Sequence, residues 1–485
     1  MKKYYYFFGE GSVVNQVICA VLINIPVFAY GASIGWMSPM TLLLQSTDSP
    51  RGTPLSDYEI SWMAACSYLV CVPADFLMVF LCDKIGRKPT LLILSASCVG
   101  CWVIKLSSLE TWAFITARAL VGITMGGSYV TCPLYTKEIS QDCIRGFLGS
   151  LVILFHTTGN LFLYVIGDIL DYNTVLWICL SIPTFHLFLF MMMPESPAYL
   201  VKRGKLEEAT RVLAWLRCRD ETDAEIKLEV EAIRNEQKID AENNKFVLKA
   251  IVTDKILYRA FKISMVVALA REVCGAIPVL NFAGNIFEMA SEGSGLALTP
   301  NQQAMMLGAV QVAGAMLASS IVEKTGRKPL LFITSLVSGL SMCGLASWFL
   351  ARHYQVYAPD WIPIVTLCLC IFCDSSGLQP LSVIIIGEIF SFKYRGTVMA
   401  VTMASSSVID FFQMLFFKPL ANAVGVHVSF YFFGFICILA SAYVLFVIPE
   451  TKNKRLSEIY DSLMTTKERA ASDNSKNLET EKTRV

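Results

Sequence analysis

The chain has 485 residues, 55% of them apolar and 16% charged, with mean hydropathy +0.54 and a formal net charge of +1. A soluble domain carries about 25% charged residues, so this composition excludes a water-soluble globule. The near-zero charge argues against nucleic acid as a partner. Most of the 16 cysteines (Cys66, Cys71, Cys98, Cys101, Cys368, Cys370 and Cys373 among them) sit in apolar runs, and read as small packing residues rather than a disulfide or metal set.

The N-terminus, Met1-Lys2-Lys3-Tyr4-Tyr5-Tyr6, is short and leads into an apolar segment with no small-residue cleavage site. It reads as a first membrane helix, not a removable signal. A helix needs about 20 apolar residues to cross a bilayer. Twelve such runs are predicted at 13–38, 58–82, 89–107, 111–136, 147–169, 174–193, 258–288, 303–323, 329–350, 361–387, 397–419 and 424–448. They are numbered as spans 1 to 12. They are too long for barrel strands and lack alternation. The expected fold is an all-α polytopic membrane protein with two six-helix, pseudo-symmetric bundles at 13–193 and 258–448. A 1–12 N-terminus, a 194–257 linker and a 449–485 tail complete it.

Most Lys and Arg near the span ends fall on one side: Lys2, Lys3, Lys84, Arg87, Lys88, Lys137, Arg145, Lys324, Arg327, Lys328, Lys393 and Arg395, against Arg51 and Arg352 on the other. By the positive-inside rule that side, with both termini, is cytoplasmic. Within the linker, Leu206, Ala209, Val212, Leu213 and Leu216 recur at helical spacing, which predicts amphipathic helices on the cytoplasmic face. The tail is polar, and its last residues, Thr483-Arg484-Val485, could dock in a groove that captures C-termini.

Three features occur twice in the same order. Asp83-Lys84-Ile85-Gly86-Arg87-Lys88-Pro89 returns as Glu323-Lys324-Thr325-Gly326-Arg327-Lys328-Pro329, 240 residues later. Glu138 with Arg145 returns as Glu388 with Arg395 after 250, and Pro194-Glu195-Ser196 as Pro449-Glu450-Thr451 after 255. A parallel repeat implies halves related by an axis along the membrane normal. Orientation alone explains the bases but not acids at fixed places. These residues are therefore expected to pair at the helix ends.

With these motifs the chain resembles the sugar porter family of the major facilitator superfamily, over roughly 20–455. Further marks are Arg118 with Gly122 and Gly126 in span 4, Pro133-Leu134-Tyr135, Pro194-Glu195-Ser196-Pro197, Gly387-Glu388-Ile389-Phe390 and Pro449-Glu450-Thr451-Lys452. Gly35-Trp36-Met37-Ser38-Pro39 resembles the insect trehalose-transporter-like branch. The resemblance implies alternating access around a central sugar site, with no cofactor and no catalysis. The Gly-Arg-Lys turns lack the glycine spacing of a phosphate loop. It also implies a conformational latch formed by Asp83, Gly86, Arg87, Lys88, Arg118, Glu138, Arg145, Glu195, Glu323, Gly326, Arg327, Lys328, Glu388, Arg395 and Glu450. The latch would hold the outward-facing state and part in the inward-facing one, with the linker helices bracing both halves.

The family's binding set is thin. In place of Gln-Gln-x-Ser-Gly-Ile-Asn, span 7 has Arg271-Glu272-Val273-Cys274-Gly275-Ala276-Ile277. The candidate substrate residues are Arg271, Glu272, Asn281, Gln311, Asp374, Ser375, Gln379, Ser406, Ser407 and His156. A lone ionisable residue inside a span costs about 3 kcal/mol or more, so Arg271 and Glu272 are expected to pair with each other, Asp374, Asp410 or His156. Proton-driven members of the family the chain resembles carry an acid on span 1; Tyr30-Gly31-Ala32-Ser33 has no carboxylate there, so the resemblance implies facilitated diffusion of a sugar rather than proton symport. Asp75, Glu272, Asp374 and Asp410 keep symport open. A non-transporting sugar sensor and a carrier of a charged metabolite are the other readings.

Overall fold

A computed structural model describes residues 11–242, 247–291, 298–452, 454 and 456–464; the Thr483–Val485 motif lies outside them. Among the described residues the structure is helical, and eleven helices are long and apolar enough to cross a membrane. The remaining place, span 8, is the 26-residue helix Pro300–Thr325, about 39 Å long at 1.5 Å per residue.

The spans are Val14–Gly35 running on through Met37–Gln45, then Asp57–Ile85, Arg87–Ser107, Thr111–Ile139, Asp142–Ile169 and Tyr172–Met191. The second set is span 7 (Lys255–Glu272, Ala276–Asn281 and Ala283–Ser291), span 8, Arg327–His353, span 10 (Ile362–Cys373 to Gln379–Ile389), Phe392–Val424 and Val426–Val447. Two spans are interrupted at mid-depth. Span 7 breaks where Gly275 takes φ +85°, and a Cβ there would lie 2.4 Å from the Phe433 ring. Span 10 widens into a π-helical turn at Asp374–Leu378, a device that re-aims side chains and frees backbone carbonyls.

The repeat extends to the helix starts. Ser56 caps span 2 with Glu59 three residues on, and Thr299 caps span 8 with Gln302, each as a reciprocal capping box. Within each bundle, small residues bring helices together. A Cβ on Gly31 would lie 2.1 Å from the His156 carbonyl oxygen, and one on Gly159 2.2 Å from that of Phe28, so spans 1 and 5 touch backbone to backbone.

The short helices Pro197–Lys202, Leu206–Arg217 and Ala224–Glu242 sit at the face bearing the Gly-Arg-Lys turns, called here the basic face. They attach to the first bundle. Asn15 donates to the Trp215 carbonyl at 2.6 Å, Gln16 to that of Leu216 at 3.3 Å, and Arg217 to that of Ile139 at 2.8 Å. The second bundle has a helix of its own, Leu456–Leu463, whose Leu463 carbonyl accepts from Arg259 at 3.0 Å. These bonds brace each half separately, unlike the shared brace expected from the sequence.

Candidate functional site

Two charge clusters lie at the basic face, one in each bundle. In the first, Arg87 grips both oxygens of Glu138, Nε to Oε2 at 2.9 Å and Nη2 to Oε1 at 2.7 Å, while Nη1 donates to the Cys82 carbonyl at 3.0 Å. Asp83 lies 3.6 Å away. The Arg87 and Lys88 amides donate to Glu195, and Ser196 donates its hydroxyl to Glu138. Gly86, at φ +108°, has no Cβ because one would lie 2.2 Å from the Glu195 carboxylate. The second cluster repeats the plan. Arg327 reaches one oxygen of Glu388 through Nε at 3.0 Å and Nη2 at 2.8 Å, and Glu323 at 3.3 Å. Glu450 accepts from the Arg327 and Lys328 amides at 3.0 and 3.1 Å, and Thr451 donates to Glu388.

The copies differ electrostatically. Burial pushes the Glu195 carboxyl above its ordinary value, outweighing the amides it accepts from Ser196, Lys88 and Arg87. Burial also pulls at Glu450, but the amides of Lys452, Arg327, Lys328 and Thr451 together hold it below the ordinary value.

Each cluster is satisfied inside its own bundle, because the Gly-Arg turn aims its arginine back at the end of span 4 or span 10 of the same half. That differs from a latch shared between halves. Arg145 and Arg395 donate to the Ser140 and Phe390 carbonyls, capping the preceding helix end. Arg118 stands apart altogether. Span 4 runs toward the basic face from Thr111, so residue 118 lies near the opposite end. There its guanidinium, fully buried, donates to the carbonyls of Met63 and Ser33 at 3.2 and 2.8 Å and to Ser67 Oγ at 3.2 Å.

The bonds that join the halves form a seam from mid-depth to the opposite face. Asn160 Nδ2 donates to Gln311 Oε1 at 2.9 Å, Asn281 Nδ2 to the Tyr68 hydroxyl at 3.3 Å, and Tyr164 to the Leu280 carbonyl. Further out, Lys418 Nζ meets Gln45 at 2.7 Å and Asp57 at 3.2 Å, and Asn422 donates to Asp57 at 2.8 Å. Asn160, Tyr68 and Lys418 escaped the sequence reading. Single amides, hydroxyls and amines in apolar runs give no periodic signal.

At mid-depth beside this seam lies a charged group. Arg271 Nη1 contacts both Glu272 oxygens at 2.8 Å, and Nε contacts Asp374 Oδ1 at 3.2 Å; Glu272 is 6% and Asp374 1% exposed. The Asp374–Leu378 turn sits between spans 8 and 9, against Gly314 and Thr334. On the first-bundle side, His156 Nδ1 shares a 2.9 Å hydrogen bond with the Tyr129 hydroxyl and stacks on Tyr30. Ser407 contacts Cys71 across the seam at 3.5 Å, and Ser406 is buried beside it. Ser375 turns back onto the Ile371 carbonyl at 2.8 Å, and Gln379 Oε1 is left without a partner. The structure thus gathers Arg271, Glu272, Asp374 and, across the seam, His156. Asn281 and Gln311 stand in the seam itself.

A second feature was not legible beforehand. Lys105, 1% exposed, holds its ammonium 3.6 Å from the Trp36 ring centroid and 4.3 Å from that of Trp102, with no hydrogen-bond partner for Nζ. Two indole faces replace a counter-ion.

Comparison with known proteins follows the same lines. A family model described as sugar (and other) transporter matches residues 18–462. A facilitated trehalose transporter Tret1 of Bombyx mori is 26% identical over 447 residues, 92% of this chain and 86% of that protein. One of Polypedilum vanderplanki is 25% identical over 455 residues, 93% of this chain and 88% of that protein. The E. coli xylose transporter XylE in an inward-open conformation superposes with TM-score 0.73 at 19% identity, covering 93% of this chain and all of that one. A partially occluded inward-open form gives 0.72 over 92% of this chain and 99% of that one, again at 19% identity. The motifs, the doubled six-span architecture and the family match agree: this chain belongs to the sugar (and other) transporter family.

Proposed function

We propose that the protein is a facilitative transporter of a sugar, trehalose or a hexose-like molecule, working by alternating access at the plasma membrane with the basic face cytoplasmic. The observation that carries this reading is the seam. Its mid-depth bonds are made by amides and hydroxyls, Asn160 with Gln311 and Asn281 with Tyr68, buried between two bundles. Those are the groups a polyhydroxyl cargo would exchange for its own, with little loss when the cargo leaves. The trehalose transporters to which the chain is similar support the substrate class. The absence of any carboxylate in span 1 supports uniport. On this reading the structure is closed toward the outside by Lys418, Asp57, Asn422 and Gln45.

The two charge clusters then serve as staples that keep each bundle rigid while the seam opens and closes. The test is uptake. Oocytes expressing the chain should accumulate labelled trehalose or hexose down a gradient, with saturation, and equally at pH 5.5 and 7.5. No saturable uptake of any sugar in a panel, with surface expression confirmed, sinks the proposal.

A further inference from the structure

Arg271 answers two of the acids around it and leaves a third. Asp410 of span 11 hydrogen-bonds the Glu272 side chain, carboxyl to carboxyl, so the pair shares a proton; it is 3% exposed and its Oδ1 has no hydrogen-bond partner. Around it stand Glu272 and Arg271 of span 7, Asp374 of span 10, and Tyr68 and Cys71 of the facing span 2. Cys71 links the two halves of this group. Its thiol lies 3.7 Å from Asp75 Oδ1 and 3.5 Å from Ser407, one turn before Asp410. Asp75 is 5% exposed and its Oδ2 is also unpartnered.

Two facts about this cluster point the same way. The first is charge. One guanidinium faces Glu272, Asp374 and Asp410; even with one proton shared by the hydrogen-bonded Glu272 and Asp410, two negative charges meet one positive at the depth where an unbalanced charge is most expensive. The second is hydrogen-bond polarity. The open atoms are Asp410 Oδ1, Asp75 Oδ2, Gln379 Oε1 and Gln413 Oε1, all acceptors. Gln413 has already spent its amide on the Glu272 carbonyl at 3.2 Å. His156 Nε2 is open too, and accepts when Nδ1 carries the proton shared with Tyr129. Arg271 has turned toward Glu272 and Asp374 and adds no donor to Asp410. A neutral sugar would meet the need for donors but not the surplus charge.

We infer that this cluster receives a protonated amine of the cargo, so that the preferred substrates are amino sugars or amino polyols rather than neutral sugars. An ammonium brings one positive charge and three donors to a cluster that offers carboxylates and acceptor atoms. The inference rests on the transport reading above and narrows its substrate class.

The test uses the full chain, purified in detergent, and follows thermal unfolding against D-glucosamine, D-glucose and N-acetyl-D-glucosamine at about pH 6, with chloride matched. The three share one ring and differ in whether position 2 carries a charge. Half-maximal stabilisation by glucosamine is expected at a concentration at least tenfold below that of either neutral sugar. Asp410→Asn should bring the three within about twofold, and Asp223→Asn on the basic-face helices should keep the preference. Equal curves for the three ligands in the unaltered protein overturn the inference, as does a preference that survives Asp410→Asn. If Asp410→Asn does not fold, competition of the three sugars for labelled uptake by the unaltered protein decides on the same tenfold criterion. Uptake of neutral sugars alone leaves the transport reading standing and removes the amine; uptake of glucosamine alone upholds both; saturable uptake of none of the three overturns the transport reading and the inference with it.

Discussion

The two staples invite a matched pair of substitutions, Glu138→Gln and Glu388→Gln. Each removes a carboxylate charge from an arginine without changing side-chain size. In the first bundle the side chains of Arg87 and Glu138 are 7% and 12% exposed, and both carboxylate oxygens are used. In the second, Arg327 and Glu388 are 11% and 27% exposed, and Arg327 contacts one oxygen. Removing one partner of a buried pair leaves a buried charge and costs about 3–5 kcal/mol. A pair more open to water is worth about 1 kcal/mol. Asp83 at 3.6 Å partly compensates Arg87, so about 3 kcal/mol is expected for Glu138→Gln against about 1 for Glu388→Gln. The difference of about 2 kcal/mol is roughly thirtyfold in an equilibrium constant. Unfolding in mixed micelles by denaturant titration, followed by tryptophan fluorescence, reads both. A double-mutant cycle with Arg87→Gln and Arg327→Gln isolates the pair terms. If Glu388→Gln costs as much as Glu138→Gln, the argument from burial and bidentate geometry is wrong.

Further outcomes follow from the same geometry. Asp57→Asn should weaken the closure at the seam by up to about 1 kcal/mol, since Asp57 is 44% exposed; a cysteine placed beside Lys418 should label up to about fivefold faster from outside, and unchanged labelling refutes the closure. Gly159→Ala places a Cβ against the Phe28 carbonyl, so spans 1 and 5 must part, and saturable uptake should fall at least tenfold with surface expression tracked separately. Trp36→Leu should destabilise by about 2–4 kcal/mol by opening a cavity and uncovering Lys105, whereas Lys105→Met, which removes an ammonium without a counter-ion, should cost less than half as much in the same unfolding assay. Glu195 and Glu450 should give opposite pH trends. Glu450 lies below its unfolded value of 4.5, so its contribution is complete above that pH and is lost as pH falls through the folded value. Glu195 lies above 4.5, so its contribution falls as pH rises from there through its folded value. The stability of the unaltered protein relative to Glu450→Gln and to Glu195→Gln, measured from pH 3.5 to 6.5, should therefore slope in opposite directions.

The spans were legible because lipid imposes one demand on every residue that faces it, and twelve apolar runs answer that demand. The acids Glu138, Glu388, Glu195 and Glu450 were legible because they recur at fixed offsets. What recurrence does not encode is which helix end an arginine turns toward. Gly86 and Gly326 set that through positive φ, so the pairing inside each half came from backbone geometry. The family resemblance places Arg118 in the latch, but Glu110 and Lys137 fix the direction of span 4, and a count of seven residues from Thr111 sets Arg118 near the end opposite the basic face. The breaks at Gly275 and Asp374–Leu378 leave little trace in a hydropathy pattern, since both interrupted segments stay apolar on either side. Lys105 was hidden because a single lysine near a helix end reads as an interfacial charge, and only the placement of Trp36 and Trp102 reveals it as buried.

The distribution of strength argues for where the molecule moves. Within each bundle the contacts are of a kind that does not yield gradually: backbone against backbone at Gly31 and Gly159 in the first and at Gly339 and Gly434 in the second, and arginine locked between two carboxylates and a carbonyl. Among the described residues, the polar contacts between bundles are single hydrogen bonds and one partly exposed ion pair, each worth about 0–1.5 kcal/mol net. A cargo that replaces a few of them can shift the balance between two arrangements, since a ligand moves an equilibrium only by its differential affinity for the two states. The mid-depth cluster adds direction to that balance. Asp410 and Asp75 sit on opposite sides of the seam, so a cation between them would draw the halves together. The same cation held by one half alone would meet only part of the charge. On that physics, the charged group in span 7 does more than replace a sugar contact. It makes closure depend on the cargo's charge, and the binding site and the moving seam become one structure.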